Sequence, residues 1–259
     1  MMAAIGRAGD LIHHGPRALL GDWLAWPFVG TDADAILASN RPVLGDLEAP
    51  FVTWLAARSR LAEDWLAASG ADQYVILGAG LDSFAWRQGA DVRVFEVDHP
   101  STQAWKQARV ASIGLPVPAE LVWVPVDFER QRLGPALSEA GLDTSRAVFV
   151  SWLGVIPYLT RDAIIQTLQE LPRCQLALGY LPPRELVDED ARQLCTTVEA
   201  IARETGEPWI TSLSPAQFAA MLTEGGFTVT DDVGAHDIEG RYGRRALNYE
   251  RMALARKER

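Results

Sequence analysis

From Tyr74 onward, apolar and polar positions come in alternating blocks. "YVILG", "VRVFEVD", "LVWVPVDF", "AVFVSWLGV" and "CQLALGY" are short, nearly continuous apolar runs. Helical patterns separate them: "DSFAWR", "PSTQAWKQARVAS", "RQRLGPALSEAG", "TRDAIIQTLQEL" and a longer stretch after the fifth run. A strand that is apolar throughout is covered on both faces, so these runs predict a parallel sheet clothed by helices. Strand, helix, strand at this spacing implies right-handed crossovers, and the expected fold class is α/β, doubly wound and mostly parallel. Two later runs, "FTVTDDVG" and "NYERMALAR", are close enough to pair antiparallel at the end of the sheet, which brings it to seven strands. Before them, "SPAQFAAMLTEGG" has the Ser-Pro start and glycine stop of a helix.

Two regions break the alternation. Residues 1–73 read as helices cut by Pro16, Pro27, Pro42 and Pro50, ending in the long "PFVTWLAARSRLAEDWLAASG". They are expected to form a helical cap or lid over a core of residues 74–259. Residues 183–207 read as a polar, acidic helical insertion in that core.

Composition narrows the function. The chain has 259 residues, 48% hydrophobic and 22% charged, enough for a sizeable core. A formal net charge of -10 argues against a nucleic-acid surface, which needs clustered Lys and Arg. The only basic clusters are Arg241 with Arg244 and Arg245, and the terminal Arg256–Arg259, read as a solvated tail. Cys174 and Cys195 make neither a disulfide framework nor a metal knuckle, and the four histidines have no metal-site spacing. No leader pattern and no apolar stretch of membrane-spanning length is present, so a cytoplasmic, metal-free protein is expected.

The candidate chemistry begins at "YVILGAGLD". Glycines after a first strand let the backbone approach a ligand, and the following helix offers free N–H groups. A dinucleotide loop would carry a third glycine; here Gly78 and Gly80 are followed by Asp82. Asp82 suits an ammonium group better than a pyrophosphate, or serves as a helix cap. The ligand suggested has an amino-acid end and a nucleoside end, as S-adenosylmethionine has; a tight turn without a ligand is the alternative. Glu96 and Asp98 close the second strand, where a carboxylate accepts from ribose hydroxyls, and Asp127 closes the third, within reach of an adenine amino group.

In order along the chain, "YVILGAGLDSFAWR", "VFEVDHPSTQAWK", "VPVDF" and "FVSWLGVIPYL" resemble the leucine carboxyl methyltransferase-like family of S-adenosylmethionine-dependent O-methyltransferases, which includes bacterial enzymes that esterify polyketide carboxylates. The resemblance covers residues 50–180 clearly. It implies that Gly78, Ala79 and Gly80 face the cofactor's amino-acid and ribose end, that Asp98 holds the ribose, and that Asp127 and Phe128 flank the adenine. It matches Arg58 to the arginine that pairs with the cofactor carboxylate, with Arg60 as fallback. Where the family's fourth-strand block often carries a glutamate near the methionine portion, this chain has Ser151 and Trp152.

The implied reaction is methyl transfer to a carboxylate or hydroxyl of a small-molecule acceptor. A carboxylate is already ionised near neutral pH, so no base is assigned. His99, at the cofactor edge, and His13 and His14, in the cap, are the residues to inspect for a phenolic acceptor. Trp23, Trp26, Trp54 and Trp65 crowd the first 73 residues; Trp23, together with Trp152 and Tyr158, is the candidate wall for a bulky or aromatic acceptor. An NAD(P)-dependent oxidoreductase and a catalytically idle S-adenosylmethionine-binding protein are the alternatives.

Overall fold

A computed structural model describes residues 2–30, 44–88, 91–204 and 208–258. Seven strands form one sheet: β1 Gln73–Leu77, β2 Arg93–Asp98, β3 Leu121–Pro125, β4 Val148–Trp152, β5 Cys174–Tyr180, β6 Thr228–Val233 and β7 Arg251–Lys257. Their order is β3-β2-β1-β4-β5-β7-β6. The first five run parallel, and β7 pairs antiparallel with both β5 and β6. From β1 the chain winds outward through β2 and β3, then returns to β4 on the other side of β1. That reversal opens a crevice outside the carboxyl ends of β1 and β4, where such sheets take ligands.

Among the described residues the helices are α1 Met2–His14, α2 Ala25–Val29, α3 Glu48–Ser69, α4 Phe84–Arg87, α5 Pro100–Ser112, α6 Leu133–Glu139, α7 Arg161–Glu170, α8 Glu189–Glu204, α9 Pro215–Glu224 and α10 Ala235–Tyr242. Strand alternation sends Val75, Leu77, Val150 and Trp152 to one face of the sheet, against Leu137, Ile164 and Phe218 of α6, α7 and α9. Tyr74, Ile76, Phe149 and Ala177 go to the other, against Trp54 and Leu61 of α3, Leu194 of α8 and Ile238 of α10. A smaller core joins α1, α2 and α5 through Ile5, Phe28 and Val110. The helix expected to begin at Pro50 starts earlier, at Glu48, because proline is tolerated in a first turn. Ser214 and Gln217 close a reciprocal capping box on α9, as the Ser-Pro start suggested. Pro42 and residues 205–207 of the expected insertion lie outside the described residues.

The expected solvated tail is in part strand, and Arg259 lies outside the described residues. Arg256 and Lys257 belong to β7, and Lys257 Nζ donates to the carbonyls of Leu168, Gln169 and Leu171, each at 2.9 Å, closing the end of α7. The other basic cluster is dispersed into ion pairs with Asp231, Asp10 and Asp190 from separate elements. No described helix is long and apolar enough to cross a membrane.

Candidate functional site

The glycine loop leaves β1 at the crevice. Gly78 and Ala79 both donate to Val97 O, at 2.8 and 3.1 Å, which ties the loop to the end of β2. Gly78 has φ +66°, and a Cβ built there would stand 2.2 Å from Val155 Cγ2, so both conformation and space demand glycine. Gly80, at φ +49°, donates its N–H to Asp98 Oδ2 at 2.5 Å, while His99 N–H donates to Oδ1 at 2.7 Å. Each Asp98 oxygen keeps a lone pair for a further donor. Burial raises the Asp98 carboxyl above its ordinary range, and the two backbone N–H groups pull it back. Asp82 Oδ1 accepts from Phe84 N–H at 2.7 Å, a local turn across Ser83; the N-cap of α4 is Ser83, not Asp82.

Asp127 and Phe128 follow β3 as expected, and both are half-buried. Asp127 Oδ1 accepts from Glu129 N–H at 3.0 Å, and Oδ2 lies 3.6 Å from Arg130 and 3.8 Å from His99 Nε2. The Phe128 ring stands 6.2 Å from that of Trp152. Arg58 is buried: Nη1 donates to Glu250 Oε2 at 2.6 Å, and Nε has no partner. A Cβ built on Gly154, in the loop after β4, would stand 3.0 Å from Arg58 Nη2. Opposite charge outweighs the cost of burial and holds the guanidinium's pKa above its usual value. Arg60, the fallback, is an exposed charge bonded to Asp64 at 2.7 Å.

Four other candidates lie elsewhere. Glu96 shares a strand face with Asp98 but sits two residues deeper, under α5. It is 1% exposed, with Oε2 2.5 Å from Lys106 Nζ and Oε1 unpartnered, and offers nothing to a ribose. The Lys106 ammonium is ringed by Phe28, Trp86 and Trp123 at 5.4 to 5.8 Å, a cation–π cage that compensates burial. Ser151 is buried beneath the sheet, accepting from Tyr74 Oη–H at 2.7 Å. Trp152 points to the opposite face, fully buried in the core, its Nε1 unpartnered. The strand's period of two makes that reversal obligatory. Trp23 is exposed in the turn before α2, and Trp54 and Trp65 are core, so tryptophans do not gather into an acceptor wall. Tyr158, in the turn Ile156–Tyr158 after β4, is exposed at the carboxyl edge. His99 caps α5, accepting from Ser101 N–H, and His13 and His14 sit near Glu48 and Asp10, each at 3.9 Å. Among the described residues, no cluster of three or more His, Cys, Asp or Glu is placed to hold a metal.

Sequence reading missed Glu250. It stands just before β7, is 2% exposed, and joins Arg58 to Trp54, whose Nε1–H donates to it at 2.7 Å. An acidic residue opening an apolar strand was the available signal. The reading also missed a cavity of about 110 Å³ beyond β5, lined by Leu181, Pro182, Arg184, Cys195, Trp209 and Ile210. Its wall is tied to the turn after β4 through Ile210 N–H and Thr211 N–H, both donating to Pro157 O.

A family model described as leucine carboxyl methyltransferase matches residues 1–171. A relative from Mycolicibacterium vanbaalenii, provisionally named an S-adenosyl-L-methionine-dependent methyltransferase, is 31% identical over 73% of this chain and 68% of its own length. One of the same name from Mycobacterium sp. (strain JLS) is 30% identical over 90% and 84%. Another from Bacillus subtilis is 29% identical over 65% of this chain, and the match spans 58% of that relative's length. Among solved structures, a chain described as a methyltransferase of Thermobifida fusca superposes with a TM-score of 0.62 at 15% identity, covering 100% of this chain and 95% of the other. The magnesium protoporphyrin IX methyltransferase of Synechocystis PCC 6803, solved with bound S-adenosylhomocysteine, has a TM-score of 0.51 at 14% identity, over 86% and 94%. These structural likenesses show a shared fold.

Proposed function

Because this chain belongs to the leucine carboxyl methyltransferase family, we propose that it transfers a methyl group from S-adenosylmethionine to a carboxylate or hydroxyl oxygen of a small molecule that is bulky or aromatic. The family overturns the dinucleotide oxidoreductase alternative. The observation that carries the proposal is the glycine loop bonded to Asp98 at the switch point of the sheet. The residues there fit the cofactor: both glycines of the loop adopt positive φ beside Asp98, a Cβ on Gly80 would meet nothing closer than 3.9 Å, and the buried Arg58 Nε lacks a partner. Gly78, Ala79 and Gly80 would hold the amino-acid and ribose end, Asp98 the ribose hydroxyls, and Asp127 with Phe128 the adenine. Arg58 would take the α-carboxylate, and Asp82 the ammonium group. When bound, the cofactor supplies an electrophilic methyl on a sulfonium.

The chain's own contribution is then to exclude water and hold the acceptor oxygen in line. The cavity beyond β5 has a mixed lining, Leu181, Trp209 and Ile210 beside Arg184, Glu199 and Thr211, which supports an acceptor with both an apolar and a polar part.

The test is calorimetric titration with S-adenosylhomocysteine, with NADH as control, on the native protein and Asp98→Ala. The native protein is expected to bind S-adenosylhomocysteine, and losing a charged hydrogen-bond acceptor should weaken binding about 10- to 100-fold. Failure of the native protein to bind would overturn the proposal. Binding without turnover across a panel of aromatic and aliphatic acids and phenols would support an idle binding protein instead.

A further inference from the structure

Glu250 reaches a part of the site far from its own strand. Its Oε2 accepts from two donors of α3, Trp54 Nε1 at 2.7 Å and Arg58 Nη1 at 2.6 Å. Trp54 and Arg58 are four residues apart, neighbours on one helical face, so a single carboxylate spans both. Its Oε1 lies against the backbone of β5, where a Cβ on Gly179 would stand 2.5 Å away. The glycine inside that strand therefore makes room for the carboxylate. Three segments distant in sequence converge on one buried acid.

The arrangement leaves Arg58 half used. Glu250 occupies the Nη1 corner, Nε has no partner, and Nη2 faces Gly154 in the loop after β4. Satisfying the hydrogen-bonding capacity of a buried guanidinium would engage more of its five N–H donors. A carboxylate on one corner fixes the plane of the group and leaves the others available.

We propose that Glu250 is a positioning residue for the amino-acid end of the cofactor: it holds Arg58 with its free corner directed at the loop after β4, where the α-carboxylate is received. The inference rests on the role proposed above for Arg58. Charge-assisted hydrogen bonds from a planar fork depend steeply on orientation, so releasing the fork weakens them even though the arginine remains.

The experiment compares S-adenosylhomocysteine with 5′-methylthioadenosine, which keeps the nucleoside and thioether but lacks the amino acid. Both are titrated into the native protein, Glu250→Gln and Gly179→Ala. Glu250→Gln should raise the Kd for S-adenosylhomocysteine about tenfold and change that for 5′-methylthioadenosine less than about twofold. Gly179→Ala displaces the carboxylate without altering a polar group and should shift the ratio in the same direction; it decides the question if Glu250→Gln does not fold. Equal weakening of both ligands would mean a purely structural role and overturn the proposal, as would unchanged affinity for S-adenosylhomocysteine. A native protein that binds neither ligand fails the proposed function itself, a distinct outcome.

Discussion

Glu96 and Asp98 differ by two positions on one strand face, yet one is sealed in the interior and the other meets the glycine loop. Burial pushes the Glu96 carboxyl up to about 7, against the pull of Lys106. A carboxyl that holds its proton more tightly when folded stabilises the fold at low pH. That contribution is complete below the ordinary value of 4.5 and is lost as pH rises to about 7. The difference in unfolding free energy between the native protein and Glu96→Gln should therefore fall with rising pH across this window, by at most about 1.4 kcal/mol per pH unit. Denaturant titrations in half-unit pH steps measure it, and a flat difference would refute the assignment. The acidic residue types were legible in "VFEVDHP"; which of them is covered was not, because alternation gives the face and only α5 decides the depth.

Among elements, the glycine loop was the most legible. Its two glycines are nevertheless not equivalent. Gly78 combines φ +66° with a Cβ clash at 2.2 Å, whereas a Cβ on Gly80, at φ +49°, would meet nothing closer than 3.9 Å. Gly78→Ala should cost about 2–4 kcal/mol, since overpacking adds to left-handed strain, and Gly80→Ala about 1–2 kcal/mol. Equal shifts in chemical denaturation would contradict the close approach of Val155. Local signals also marked the strands and the start of α9, because capping and period are properties of neighbouring residues. The cavity beyond β5 had no such signal, being assembled from the end of one strand, one helix and a returning segment.

At the scale of the molecule, the N-terminal helices are fastened to the glycine loop by a buried clasp. Arg7 of α1 donates to Asp22 Oδ2 and to the carbonyl of Leu81 in the glycine loop, each at 2.7 Å. Arg87 of α4 lies 3.6 Å from the same aspartate and also pairs with Glu63 of α3. Arg7→Met leaves a buried carboxylate with a single distant cation, and should cost about 3–5 kcal/mol in denaturant unfolding. A cost near zero would show that α1 is not fastened there. Any opening of a lid made of these helices would have to break the same bonds.

The sequence by itself determined the α/β class, the parallel strands, the antiparallel end and the loop that marks the ligand edge, because these follow from hydrophobic period and from residues a few positions apart. The tertiary structure alone decided that Glu96 is paired inside, that Trp152 faces the core, that Lys257 closes a helix, and that Glu250 meets Arg58 across 192 positions of chain. Each of those depends on which element covers which, and long-range packing leaves no period in the chain for a reader to find.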